Sequence, residues 1–180
     1  DARQRLWNVS RRTELDQSWF PPFARYWTDV LGGRPLWGVH DFYFLRSHYR
    51  LQFQNLRIPE AASVTDHEAA YRRPESLYFL FQQVYRERSA NRAHLVSRTF
   101  RYLKRAAPSF LEYGCGTAPI STSLFEFFRT APDMRVFLAD LKALPLQYAA
   151  YKFRRCPNVT ILPLLPENDL QLEPLVTVDA

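Results

Sequence analysis

The sequence feature that most constrains the fold is a short apolar segment followed by two closely spaced glycines and then by a helical segment. Residues 109–113 are predicted to form a strand, residues 114–117 a tight loop that contains Gly114 and Gly116, and residues 119–130 a helix. Glycines at such a junction let the backbone turn sharply and lie close against a ligand. The start of the helix offers backbone N–H groups that have no partner within the helix. The segment therefore indicates a cofactor site at the end of a strand.

The same alternation continues to the end of the chain. Further strands are predicted at residues 134–139, 159–162 and 175–178, and a second helix at residues 144–154. Strands that alternate with helices indicate a parallel sheet with helical crossovers. For residues 108–180 we therefore expect an α/β fold, a Rossmann-like doubly wound parallel sheet.

The part of the chain before this sheet, residues 1–107, is predicted to form a helical N-terminal extension or lid. A helix is expected over residues 13–31, with an interruption at Pro21 and Pro22. The strongest helical periodicity lies in residues 74–105, where apolar side chains recur at a spacing of three and four. These patterns predict helices that each bury one face.

Between these two helices, Thr65 or Asp66 is predicted to cap a short helix that runs toward Tyr71. Aromatic residues are dense in the preceding segment, and we expect the following four to form helix core rather than a cage around a substrate: Trp37, Phe42, Tyr43 and Phe44.

Two classes of cofactor bind at a strand–glycine–helix junction of this kind, namely dinucleotides and S-adenosylmethionine (AdoMet). A dinucleotide site favours a third small residue where this sequence has Pro119, because helix and strand must pack closely there. Glu112, two residues before Gly114, would repel a pyrophosphate but favour the cationic amino group and sulfonium of AdoMet. These residues favour AdoMet, and a dinucleotide stays open as an alternative.

With these residues the chain resembles the class I AdoMet-dependent methyltransferase family. Glu112, Gly114, Cys115 and Gly116 look like the first motif of that family, an acid followed by glycines, in which the loop binds the cofactor through its backbone. Asp140, at the end of the second predicted strand, resembles the acidic residue that binds the ribose hydroxyls. A carboxylate suits this role because it can accept two hydrogen bonds from a diol.

The resemblance implies three further cofactor contacts. Leu141 would lie against the adenine ring, and Asp169 resembles the polar residue that meets the exocyclic amine of adenine. Asp179, at the end of the fourth predicted strand, would lie near the methionine moiety or the methyl group. The resemblance implies no metal ligands, and the sequence identifies no catalytic base among its histidines.

The resemblance covers about residues 108–180, which would be the first half of the domain in that family. We therefore expect either a partial chain or an open sheet edge that a second copy or a partner covers. The implied activity is methyl transfer to a small-molecule acceptor, such as a sugar or a secondary metabolite, chiefly on oxygen. This preference follows from the helical extension, which is similar to the lids of small-molecule methyltransferases. An RNA or protein methyltransferase and a non-catalytic methyltransferase-like scaffold subunit stay open as alternatives.

The charge and cysteine content set the remaining expectations. Residues 1–107 hold 18 Lys and Arg against 10 Asp and Glu, in a chain whose formal net charge is +6. A nucleic-acid partner is therefore possible, but the spread of the charges is more typical of solvated helix faces. No run of about 20 apolar residues predicts a membrane span. Two cysteines, Cys115 and Cys156, form no disulfide framework, so we expect a cytoplasmic protein.

Overall fold

The computed structural model describes residues 17–54, 63–87, 109–127 and 134–164. Asp169, Asp179 and the predicted strand at 175–178 lie outside the described residues. The same holds for the outer parts of several predicted helices, such as residues 13–16 and 88–105.

The described residues of the front part form four α-helices and one short 3-10 helix. Their bounds are α1 (Phe20–Asp29), α2 (Val39–Gln54), α3 (Val64–Tyr71), the 3-10 helix Pro74–Ser76 and α4 (Leu77–Arg86). The helical character predicted for this region is thus confirmed where the structure describes it. None of the helices in the described residues is both long and apolar enough to cross a membrane.

The start of α1 differs from the prediction. Pro21 and Pro22 occupy its first turn, so they begin this helix rather than interrupt it. Proline is tolerated there because the first N–H groups of a helix have no intrahelical acceptor, and its fixed φ is already helical. The expected interruption was therefore wrong.

The start of α3 also differs by a few residues. The Ser63 backbone N–H donates to Asp66 Oδ2 (2.9 Å), and the Asp66 N–H donates to Ser63 Oγ (3.2 Å). This reciprocal arrangement is a capping box, in which the first residue is the cap and the acid three residues later closes it. The cap is therefore Ser63, and the expected cap at Thr65 or Asp66 was wrong.

The second half of the described chain is α/β, with a three-stranded parallel sheet. Its elements are β1 (Ser109–Tyr113), α5 (Pro119–Phe127), β2 (Arg135–Leu141), α6 (Leu144–Phe153) and β3 (Val159–Leu164). The strands lie in the order β1-β2-β3, with Tyr113 opposite Ala139 and Asp140 opposite Pro163. The expected α/β class and parallel pairing are confirmed. The register brings the ends of β1 and β2 to the same edge of the sheet.

Two hydrophobic clusters form the core of the part of the chain that the structure describes. One lies around the sheet and includes Val136 and Leu138 of β2 and Leu124 of α5. The other joins the front helices to α6 and consists largely of aromatic side chains: Trp19, Phe23, Tyr26, Trp27, Phe42, Leu80, Phe81, Val84 and Tyr148. Since Tyr148 belongs to α6 and is fully buried in this cluster, the front helices pack against the sheet region through α6.

The aromatic segment near α2 is only partly core. Phe42 is fully buried and Tyr43 is half-buried, with their rings 5.8 Å apart. Trp37 and Phe44, however, are 95% and 72% exposed, so the prediction that they form core was wrong. Phe44 lies two residues beyond Phe42, which places it on nearly the opposite side of the helix. Trp37 precedes the first turn of α2 and has no helix face to join.

Candidate cofactor site

The loop between β1 and α5 has the left-handed backbone that its glycines predict. Gly114 and Gly116 have φ angles of +64° and +54°, and Ala118 also lies in this region at +56°. Left-handed backbone costs a residue with a side chain roughly 1–2 kcal/mol, which explains why glycine occupies two of these three positions. The Cys115 N–H donates to the Ala139 carbonyl (3.1 Å), which ties the loop to the end of β2.

Cys115 contributes its backbone to this loop, as expected. Its side chain is 3% exposed. Burial raises the pKa of the thiol well above its usual value, and the charges of Asp140 and Glu112 raise it further. The thiol is therefore protonated at neutral pH and is a poor nucleophile.

Asp140 connects the end of β2 to the glycine loop. Its Oδ2 accepts a hydrogen bond from the Gly116 N–H (2.5 Å), and its Oδ1 accepts one from the Leu141 N–H (2.7 Å). An ionised carboxylate has about four lone-pair sites, so Asp140 can accept two more hydrogen bonds. Its half-buried side chain lines a small pocket together with Leu141. Asp140 therefore combines a structural contact with spare acceptor capacity at the site.

Glu112 holds the first turn of α5 against β1. Its side chain is 5% exposed. Oε1 accepts a hydrogen bond from the Ile120 N–H (3.2 Å), while Oε2 accepts from the Ser121 N–H (2.8 Å) and hydroxyl (2.6 Å). Burial raises the pKa of Glu112, opposed by the hydrogen bonds from Ser121 and Ile120 and by the charge of Lys152. Both oxygens of Glu112 thus bind the helix start. A direct contact between Glu112 and a cofactor stays a prediction.

Two residues of the front helices reach the site, and no sequence signal distinguished them from other helical residues. Gln83 Oε1 accepts a hydrogen bond from the Thr117 N–H (3.0 Å). A Cβ added at Gly116 would lie only 2.1 Å from the same oxygen. Tyr71 lines the pocket beside Asp140, and its pKa is raised by burial and by the charge of that carboxylate. The glycine loop is thus covered by Gln83 of α4, and Tyr71 of α3 lines the pocket next to it.

The space left beside Asp140 is small. The pocket there has a volume of about 50 Å³, whereas sites for drug-sized ligands have roughly 300–1,000 Å³. A nucleoside could therefore enter only if Gln83 and Tyr71 moved. A second cavity of about 550 Å³ lies next to this pocket and shares Tyr71 and Ala143 with it. Among the described residues, no His, Cys, Asp and Glu side chains are grouped so that they could hold a metal ion.

The structure brings together six of the eight residues expected at the site, on the loop and at the end of β2: Glu112, Gly114, Cys115, Gly116, Asp140 and Leu141. The other two, Asp169 and Asp179, lie outside the described residues. Comparisons with protein-family models, curated proteins and solved structures found no match to this chain. The geometry of the glycine loop and its partners is therefore the basis for assigning a function.

Proposed function

We propose that this chain binds AdoMet at the loop between β1 and α5, as part of a Rossmann-like class I methyltransferase that acts on a small-molecule acceptor. One observation carries the proposal. The Asp140 carboxylate, at the end of β2, accepts the Gly116 N–H of a left-handed glycine loop at the end of β1. Ligands of parallel α/β sheets bind outside the carboxyl ends of the strands.

The chemistry of the two ends of the site fits a cationic nucleoside. The spare lone pairs of Asp140 suit the two hydroxyls of a ribose. Leu141, which lines the same pocket, supplies an apolar surface for a flat base. The charges of Glu112 and Asp140 favour a positively charged ligand over a pyrophosphate. AdoMet supplies an already activated methyl group, so the residues of the chain mainly bind and align the two reactants.

The position of Gln83 supports this assignment. The neutral amide oxygen of Gln83 accepts the Thr117 N–H, and it lies 2.1 Å from where a Cβ at Gly116 would stand. Hydrogen bonds to an ionised acceptor are roughly twice as strong as those to a neutral one. The carboxylate of AdoMet could therefore replace the Gln83 amide at the Thr117 N–H, and the glutamine side chain would turn away.

Isothermal calorimetry with AdoMet tests the proposal. We expect the wild-type chain to bind AdoMet at one site and Asp140→Asn to weaken the affinity about 10- to 100-fold, because a charged acceptor contributes about 1.5–3 kcal/mol. The matched control is Asp29→Asn, which changes an exposed carboxylate that accepts a hydrogen bond from Tyr151. Equal losses in both variants would contradict the assignment of Asp140. Binding of NADH in place of AdoMet would instead favour a dinucleotide site.

A second candidate, a non-catalytic methyltransferase-like scaffold, is favoured by the coverage of the loop. Gln83 and Tyr71 leave only about 50 Å³ beside Asp140. The variant Gln83→Ala separates the two candidates, because it removes the side chain that bonds Thr117. If neither the wild type nor this variant binds AdoMet while both remain folded by circular dichroism, the scaffold is the better description.

A further inference from the structure

The cavity of about 550 Å³ beside the glycine loop has a distinctive lining. It lies between the end of α1, the turn after α3 and the start of α6. Three cationic residues, Arg72, Arg73 and Lys142, line it, and no Asp or Glu does among the described residues. A cavity of this size falls in the range of small-molecule sites. The charge of its lining selects for an anion.

The backbone at one end of the cavity has the same preference. Helix α6 begins at Leu144, which lines the cavity; among the described residues no side chain caps its first turn, in which Pro145 has no N–H. The first N–H groups of a helix have no intrahelical acceptor, and the helix dipole places partial positive charge at this end. The cations and the helix start therefore act in the same direction, although they belong to different parts of the chain.

Another part of the lining is aromatic and is held in place before any ligand arrives. Trp27 Nε1 donates to the Arg34 carbonyl (3.0 Å), and its ring lies 5.6 Å from that of Phe81. Tyr49, which also lines the cavity, stacks on the same Phe81 ring at 5.5 Å. Flat, fixed aromatic surfaces favour a flat apolar ligand, because little side-chain freedom is lost when it binds.

We infer that this cavity binds a small anionic molecule with a flat apolar body, such as an aromatic carboxylate, sulfonate or phosphate. The carboxylate of Asp140 lines the adjoining small pocket and not this cavity. Its charge repels an anion from the small pocket, so the acidic end of the ligand lies toward Arg73 and Lys142. The inference does not depend on the proposed function, since the cavity and its charges are present whether or not AdoMet binds.

Two fluorescent probes of nearly the same shape test this inference. Anilinonaphthalene sulfonate carries the negative charge, and N-phenylnaphthylamine has the same rings without it. We expect one saturable site for the sulfonate and at least tenfold weaker binding of the neutral probe. Arg73→Gln and Lys142→Gln should each weaken binding of the sulfonate about five- to tenfold and leave the neutral probe within twofold. Added salt should weaken only the sulfonate.

The control variant is Arg135→Gln, which removes an exposed cation from the start of β2, at the other end of the strand from Lys142. The inference would be overturned if both probes bound with equal affinity, or if Arg135→Gln and Arg73→Gln lowered the affinity for the sulfonate equally. Titration of the wild-type and Arg73→Gln proteins with AdoMet keeps the two proposals apart. A wild-type protein that binds the sulfonate but not AdoMet would contradict the proposed function alone.

Discussion

The ion pair between Glu87 and Lys152 joins the front helices to the sheet region, and its loss should be costly. Lys152 Nζ donates to both carboxylate oxygens of Glu87 (2.8 and 3.0 Å), and its third N–H donates to Thr122 Oγ1 (2.8 Å). The two charged side chains are 9% and 3% exposed. The pair links the end of α4 to α6, and Thr122 extends the contact to α5.

The size of the effect follows from the distance and the burial. At the 2.8 Å separation and an effective dielectric constant of about 20, the attraction between the two charges is about 6 kcal/mol. Removing each ion from water costs several kcal/mol, so the net contribution of the intact pair is small. Removing one partner, however, leaves the other charge buried and unpaired. We therefore expect Lys152→Met or Glu87→Leu to lower the free energy of unfolding by about 3–5 kcal/mol.

Urea unfolding followed by circular dichroism measures this effect, with the slope of the transition compared between variants. The double variant Glu87→Leu/Lys152→Met should lie within about 1 kcal/mol of the wild type, or be more stable, because neither charge of the pair is left without its partner. Arg155→Met, an exposed change just after α6, is the control and should stay within about 0.5 kcal/mol. Single variants that cost less than 1 kcal/mol, or a double variant that costs the sum of both, would refute this reasoning.

Two further predictions concern the loop itself. Gly116→Ala should destabilise the protein by roughly 2–4 kcal/mol, because the new methyl group would clash with Gln83 Oε1 and the backbone has a positive φ. In urea unfolding, adding Gln83→Ala should recover the part of this loss that comes from the clash. No recovery would mean that the clash is not the cause. Burial raises the pKa of Glu112 in the folded chain above its usual value of 4.5, so the unfolded chain loses this proton at a lower pH. The stability of the wild type relative to Glu112→Gln should therefore fall as the pH rises from the unfolded to the folded pKa. Urea midpoints of the two proteins from pH 4 to 7 whose difference stays constant or rises would contradict this sign.

The backbone of the sheet region could be predicted because its signals are local. The apolar runs of β1, β2 and β3 are separated by helical segments, and parallel pairing is the expected result of that order. The position of Asp140 beside Gly116 follows in turn, since strands that are parallel and adjacent end at the same edge. The observed β2 and β3 extend two residues beyond the predicted ends, to Leu141 and Leu164, because sheet pairing continues past the apolar run.

The front helices could be predicted as helices, but their contacts could not. Gln83 and Tyr71 lie in segments whose sequence indicates only helical periodicity, and the contact of Gln83 with the loop depends on the packing of α4 and its aromatic neighbours on α6. For Trp37 and Phe44, burial was predicted and exposure is observed. Aromatic composition predicts burial on average, but only the face of α2 that meets the cluster is buried. Long-range packing, which no local pattern encodes, decides both outcomes.

The two carboxylates at the site have different roles, which their residue type alone did not indicate. Glu112 accepts three hydrogen bonds from the first turn of α5, so it fixes where that helix starts. Asp140 is only half occupied, so it fixes the loop and still offers acceptors. Replacement of Glu112 should therefore act mainly on stability, whereas replacement of Asp140 should act mainly on the affinity for a ligand. The difference between these two residues separates the framework of the site from the part that binds.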